Sequence, residues 1–189
     1  DPPMKRGFYI IMAAQFFSSL ADNMLWVVVI AALRGINEPQ WMEPLPKLFF
    51  VVSYVIFAWY VGAFADSMPK GRVMFLTNIV KVIGCSLMFL SVHPLLAYAV
   101  VGLGAAAYSP AKYGILTELL PPKQLVVANG WIEGLTVASI ILGIGLGGQL
   151  INPGVTRMLL DVDIPWITTG IDAPSEAWLS VIGLLYGVA

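Results

Sequence analysis

Four ionisable side chains interrupt otherwise apolar runs: Asp22, Lys81, Lys112 and Glu133. Near the middle of a bilayer each charge costs about 2.5–3.5 kcal/mol, whereas a leucine or isoleucine returns only about 0.3–0.6 kcal/mol. Charges in such places face one another or a wet crevice, and two acids with two bases can sum to zero. Their polar neighbours recur at helical spacing. Gln15, Ser18, Asp22 and Trp26 form one set, with Asn23 beside them. Asn78 with Lys81, Tyr108 with Lys112, and Asn129 with Glu133 and Thr136 form three more. Residues at i, i+3, i+4 and i+7 share a helix face, so each set predicts one polar stripe. Four stripes turned inward would line an aqueous path. Asp22, in mid-run with no cation on its own segment, is the leading candidate for ligand contact. Lys112 lies near the end of its run and can also snorkel to the headgroups. Lys81 is too deep for that and suits a structural ion pair as well as a ligand. Glu133 is equally suited to either role.

Other chemistry has few carriers. The single histidine, His93, precedes Pro94 and reads as a loop residue at a helix end. The single cysteine, Cys85, lies in an apolar run and reads as a small buried hydrophobe. No nucleophile–base pair or metal-ligand cluster is evident, so neither an enzyme, a metal nor a cofactor is expected. Gly143 to Gly148 resembles a dinucleotide-binding fingerprint only loosely and follows no strand.

The elements that hold these residues are membrane spans. Of 189 residues, 59% are hydrophobic and 11% charged, against roughly 25% charged in soluble domains. A net charge of −1 gives no basis for nucleic-acid binding. Spans need roughly 20 apolar residues, which predicts helices over 8–33, 48–65, 73–92, 95–116 and 125–151 after a short N-terminal segment, 1–7. The stretches 34–46 and 152–175 read as polar links, the latter with Asp161, Asp163 and Asp172. A sixth run over 176–189 stops short of a full span, which predicts an incomplete sixth helix and a longer parent chain. The fold class is therefore all-α, a polytopic transmembrane bundle. Lys5, Arg6, Lys70, Arg72 and Lys123 fall on one side of the predicted topology, and Arg34, Lys47 and Arg157 on the other. The positive-inside rule then puts the N-terminus in the cytoplasm. Gly102 and Gly104 in the fourth run, and Gly143, Gly145, Gly147 and Gly148 in the fifth, predict close helix approach. Pro110 predicts a kink.

The loop after the second run carries Gly62, Asp66, Gly71 and Arg72. This resembles the major facilitator superfamily signature between the second and third helices, which acts in gating. Ser67-Met68-Pro69 stands where the family commonly has a basic residue and a shorter spacing. Gly62 would permit close helix contact, Asp66 would accept from helix N-terminal amides, and Arg72 would bridge to a neighbouring helix end. The stretches 14–23 and 102–119, the latter with Tyr108-Ser109-Pro110-Ala111-Lys112, resemble the first and fourth helices of the bacterial lysophospholipid transporter family. The resemblance implies one six-helix half of a twelve-helix protein of the bacterial inner membrane, its C-terminal half missing. It implies alternating access, with lysophospholipid of the lysophosphatidylethanolamine type moved from the outer to the inner leaflet. A cytoplasmic acyltransferase with acyl-carrier-protein synthetase activity would be the functional partner. Asp22 and Lys112 would meet the headgroup, with Asn23, Lys81, Tyr108 and Glu133 as further candidates. A proton-coupled exporter of a drug or small solute is the alternative, with Asp22 or Glu133 as the proton site. A non-transporting membrane protein is the third reading.

Overall fold

A computed structural model describes residues 6–161 and 173–189. Lys5, Asp163 and Asp172, named above, lie outside the described residues. The described residues form seven α-helices: α1 (Arg6–Gly35), α2 (Leu45–Asp66), α3 (Lys70–Phe89), α4 (Pro94–Leu119), α5 (Pro122–Leu150), α6 (Pro153–Leu160) and α7 (Pro174–Val188). Among the described residues, five helices are long and apolar enough to cross a membrane, and they coincide with α1 to α5.

Helix boundaries follow local chemistry more than hydropathy. Prolines open α4, α5, α6 and α7 at their first positions and α2 at its second, where the missing N–H would have had no intrahelical partner. His93 is an N-cap: its Nδ1 accepts from Leu95 N at 3.3 Å, and its Nε2 lies 3.4 Å from Glu38 Oε1. Ser91, with φ of 62°, ends α3 in the left-handed region. The third span consequently runs from Lys70 to Phe89 rather than over 73–92, and the loop before it is only Ser67–Pro69. Two short elements sit in stretches expected to be irregular. One is a 3-10 turn, Gln40–Met42. The other is α6, capped by Asn152 Oδ1 accepting from Gly154 N at 2.9 Å.

The principal packing partners are α3 with α4, α1 with α5 and α2 with α4. Helix α4 is the most enclosed and α2 and α5 the least. Missing side chains make the close approaches possible. A Cβ on Gly104 would lie 2.8 Å from Thr77 O, and one on Gly143 would lie 2.7 Å from Asn23 Cβ. Gly102 and Gly147 are similarly tight against Phe50 and Met24. Gly145 and Gly148 have nothing within 4 Å, so the expected glycine packing on α5 holds for one face only. The largest apolar core joins α1, α3, α4 and α7 around Leu25, Val28, Tyr98 and Ile182. Cys85 is buried in it.

Candidate functional site

Asp22 is built into a buried polar network. Its Oδ2 accepts from Lys81 Nζ at 2.7 Å and its Oδ1 from Tyr186 OH at 2.6 Å. The Lys81 ammonium also donates to Ser18 Oγ at 2.8 Å, and Ser18 donates to Asn78 Oδ1 at 2.8 Å. The Lys81 side chain is 2% exposed and that of Asp22 16%. Pairing is what makes this depth tolerable, because an isolated ion in a low-dielectric interior costs several kcal/mol or more. Lys81 Nζ also lies 4.8 Å from the Tyr108 ring centre and 5.7 Å from that of Tyr186, within cation–π range. One ammonium thus joins the polar faces of α1, α3, α4 and α7. The cations of its own helix, Arg6 and Arg34, lie at the helix ends, and α3 supplies the partner of Asp22.

The network opens onto a cleft of ≈ 250 Å³ whose walls include Asp22, Asn23, Lys81, Tyr108 and Lys112. Asn23 donates to Ser19 O at 2.8 Å. Lys112 is 8% exposed, too buried for the snorkelling alternative, and its Nζ lies 4.7 Å from the Tyr113 ring centre. Glu133 is the exception among the four charges. It is exposed on α5, accepts from Tyr113 OH, and does not line the cleft. The expected stripe of Asn129, Glu133 and Thr136 is therefore split. Asn129 and Glu133 face outward, and Thr136 alone reaches the cleft, where its Oγ1 accepts from Gln15 Nε2 at 2.7 Å.

Lys47, Phe50 and Tyr54 of α2 also line the cleft, and the sequence reading did not single them out as site residues. Lys47 Nζ is held 5.5 Å from the Trp26 ring centre and 5.6 Å from that of Phe50. The lining charges are Asp22, Lys47, Lys81 and Lys112, one anion against three cations. With Asp22 and Lys81 paired, two cations are left to attract an anion. Tyr186 was likewise not anticipated, since no spacing links it to Asp22.

The loop signature is arranged differently from expectation. Asp66 accepts from Lys70 Nζ at 2.5 Å, not from helix N-terminal amides, and Lys70 also donates to Ala65 O at 2.8 Å. Arg72 is exposed and forms no ion pair among the described residues. A Cβ on Gly62 would meet nothing within 4 Å, so this bundle makes no close contact there; Gly71 is in ordinary contact with Ile115.

Comparison with known proteins agrees with this architecture. The chain is 45% identical over 149 residues to the lysophospholipid transporter LplT of Yersinia enterocolitica, covering 79% of this chain and 37% of that protein. It is 44% identical over 160 residues to the Photorhabdus laumondii protein of that name, covering 85% and 40%. Against the Escherichia coli O1:K1 protein it is 45% identical over 145 residues, covering 77% and 36%. The aligned stretch thus spans about two fifths of these relatives. Residues 11–160 match the profile of the Major Facilitator Superfamily. With five apolar helices of spanning length enclosing a polar cleft, this multi-pass membrane chain belongs to the Major Facilitator Superfamily.

Proposed function

We propose that this chain is one bundle of a lysophospholipid transporter. It resides in the bacterial inner membrane with its N-terminus in the cytoplasm. With a second bundle it carries lysophosphatidylethanolamine-type lipids from the outer to the inner leaflet by alternating access. The product is then reacylated by a cytoplasmic acyltransferase with acyl-carrier-protein synthetase activity. The observation that carries the reading is the Asp22–Lys81 ion pair at a cleft lined by polar side chains, in a chain similar to proteins named as lysophospholipid transporters.

A phosphoethanolamine headgroup carries one cation and one anion, as the pair does. Its ammonium displaces Lys81 from Asp22, and its phosphate is met by the released Lys81 or by Lys112. One ion pair becomes two, without a net charge being buried, in a medium where such pairings are stronger than in water. Asn23 and Tyr108 complete the pocket.

Uptake of labelled lysophosphatidylethanolamine into spheroplasts tests this, comparing wild type with Asp22→Asn and Asp22→Ala at matched expression. Loss of uptake is expected in both variants. Unchanged uptake would remove Asp22 from the mechanism. The rival exporter predicts no lysolipid uptake, together with a drug or solute efflux that collapses when a protonophore dissipates the gradient.

A further inference from the structure

A lysophospholipid differs from the diacyl lipids around it by a free glycerol hydroxyl in place of the second ester. Among the described residues, two that line the cleft carry buried polar atoms without a hydrogen-bond partner: Tyr108 OH and Gln15 Oε1. Tyr108 is 6% exposed and Gln15 1%. Native interiors rarely leave such groups unpaired, and each exception calls for an explanation. The two are complementary in kind. The phenol can donate, whereas the amide oxygen can only accept. The amide's orientation is set by its other end, where Nε2 donates to Thr136 Oγ1 and that hydroxyl donates to Ile132 O. Lys81 links the faces from which the two side chains come: its Nζ sits over the Tyr108 ring and donates to Ser18, one turn beyond Gln15 on α1.

A hydroxyl is the ligand group that satisfies one orphan donor and one orphan acceptor at once. We infer that Tyr108 OH and Gln15 Oε1 together bind the free glycerol hydroxyl of the lysolipid, so that this pair selects a monoacyl over a diacyl lipid. The inference rests on the proposed function and adds the recognised group. The phenol donates to the hydroxyl oxygen, and the hydroxyl proton goes to the amide oxygen. A second ester in that place can accept from Tyr108 but has no proton for Gln15, and its acyl chain needs room the two side chains occupy.

The test uses the full-length protein in proteoliposomes and two substrates: 1-acyl-lysophosphatidylethanolamine and its 2-deoxy analogue, identical except for the hydroxyl. Wild type is expected to favour the hydroxyl substrate by about five- to tenfold in KM, the range of one or two neutral hydrogen bonds. Tyr108→Phe, which removes one oxygen atom, should lose most of that preference, its KM values for the two substrates converging. Gln15→Met should do the same. If it fails to fold because the Thr136 bond is lost, Tyr108→Phe decides alone. Equal KM for both substrates in wild type would overturn the inference, as would Tyr108→Phe impairing both substrates alike. No uptake of either substrate by wild type would instead sink the transporter reading beneath it.

Discussion

Removing the Asp22 carboxylate strands the Lys81 ammonium, which is left with Ser18 and two aromatic rings for company. Breaking a buried pair from one side costs about 3–5 kcal/mol, whereas replacing both charges can be close to neutral. Asp22→Asn should therefore lower the melting temperature in detergent, and the double variant Asp22→Asn/Lys81→Met should restore it without restoring uptake. A double variant no more stable than the single would show that the pair does not hold the bundle. Lys47 makes a different prediction. It is exposed and held over two rings at the cleft wall, where rim charges change capture more than turnover. Lys47→Gln should raise KM for lysolipid about threefold or more and blunt its salt dependence, with the maximal rate within twofold. Measured uptake kinetics at two ionic strengths decide it. At this scale the sequence disclosed which residues matter better than whom they meet. Four charges in apolar runs are conspicuous by their cost. That Asp22 takes its cation from 59 residues away and its phenol from 164 away is decided by helix packing, which no local spacing encodes. Glu133 shows the same limit: its stripe was legible, but the rotation of α5 about its axis, which leaves Glu133 exposed and off the cleft, was not.

Each helix was legible as an apolar run, because bilayer thickness sets a length that composition must fill. The ends were less so. Caps and prolines moved them by up to three residues, and α6 was missed because eight residues opened by Asn152 and Pro153 give too short a pattern to separate from a link. Helix α5 offers an internally controlled test of packing. A Cβ on Gly143 would lie 2.7 Å from Asn23 Cβ and 2.9 Å from Leu20 O, backbone that cannot yield without moving α1. Gly145, half a turn away, has open space. Overpacking a tight interface costs about 1–3 kcal/mol. Gly143→Val should lower thermal stability by that order and disturb the cleft through Asn23, and Gly145→Ala should leave both unchanged. Melting curves and lysolipid uptake read the two effects. Equal behaviour of the two variants would mean that α1 and α5 do not approach as closely as described.

At the scale of the molecule, polar and apolar surfaces are sorted inside out relative to a soluble protein. Large hydrophobic side chains such as Val126, Ile141 and Leu146 on α5 and Val55 and Trp59 on α2 are exposed, while Gln15, Lys81 and Asn78 are enclosed. In water such a surface would aggregate; in lipid it is satisfied, and backbone polarity is met within the helices. Composition disclosed this sorting, since so few charges in so apolar a chain leave no other solvent for it. Composition was silent on where water reaches, because that depends on which faces α1, α3 and α4 turn toward one another. Cysteine labelling separates the two environments. Cys85 is the chain's one cysteine and is buried, so Cys85→Ala gives a silent background. Asn23→Cys on the cleft wall should react with a polar, membrane-impermeant maleimide, and lysolipid should slow that reaction. Ile141→Cys, 66% exposed but on the apolar side of α5, should not react in membranes. A thiolate forms readily only where water solvates it, so exposure to lipid does not substitute for exposure to water. Labelling of both positions at equal rates would mean that the bundle has no distinct aqueous cleft, and the charge pair at its centre would have to be read as a structural clasp alone.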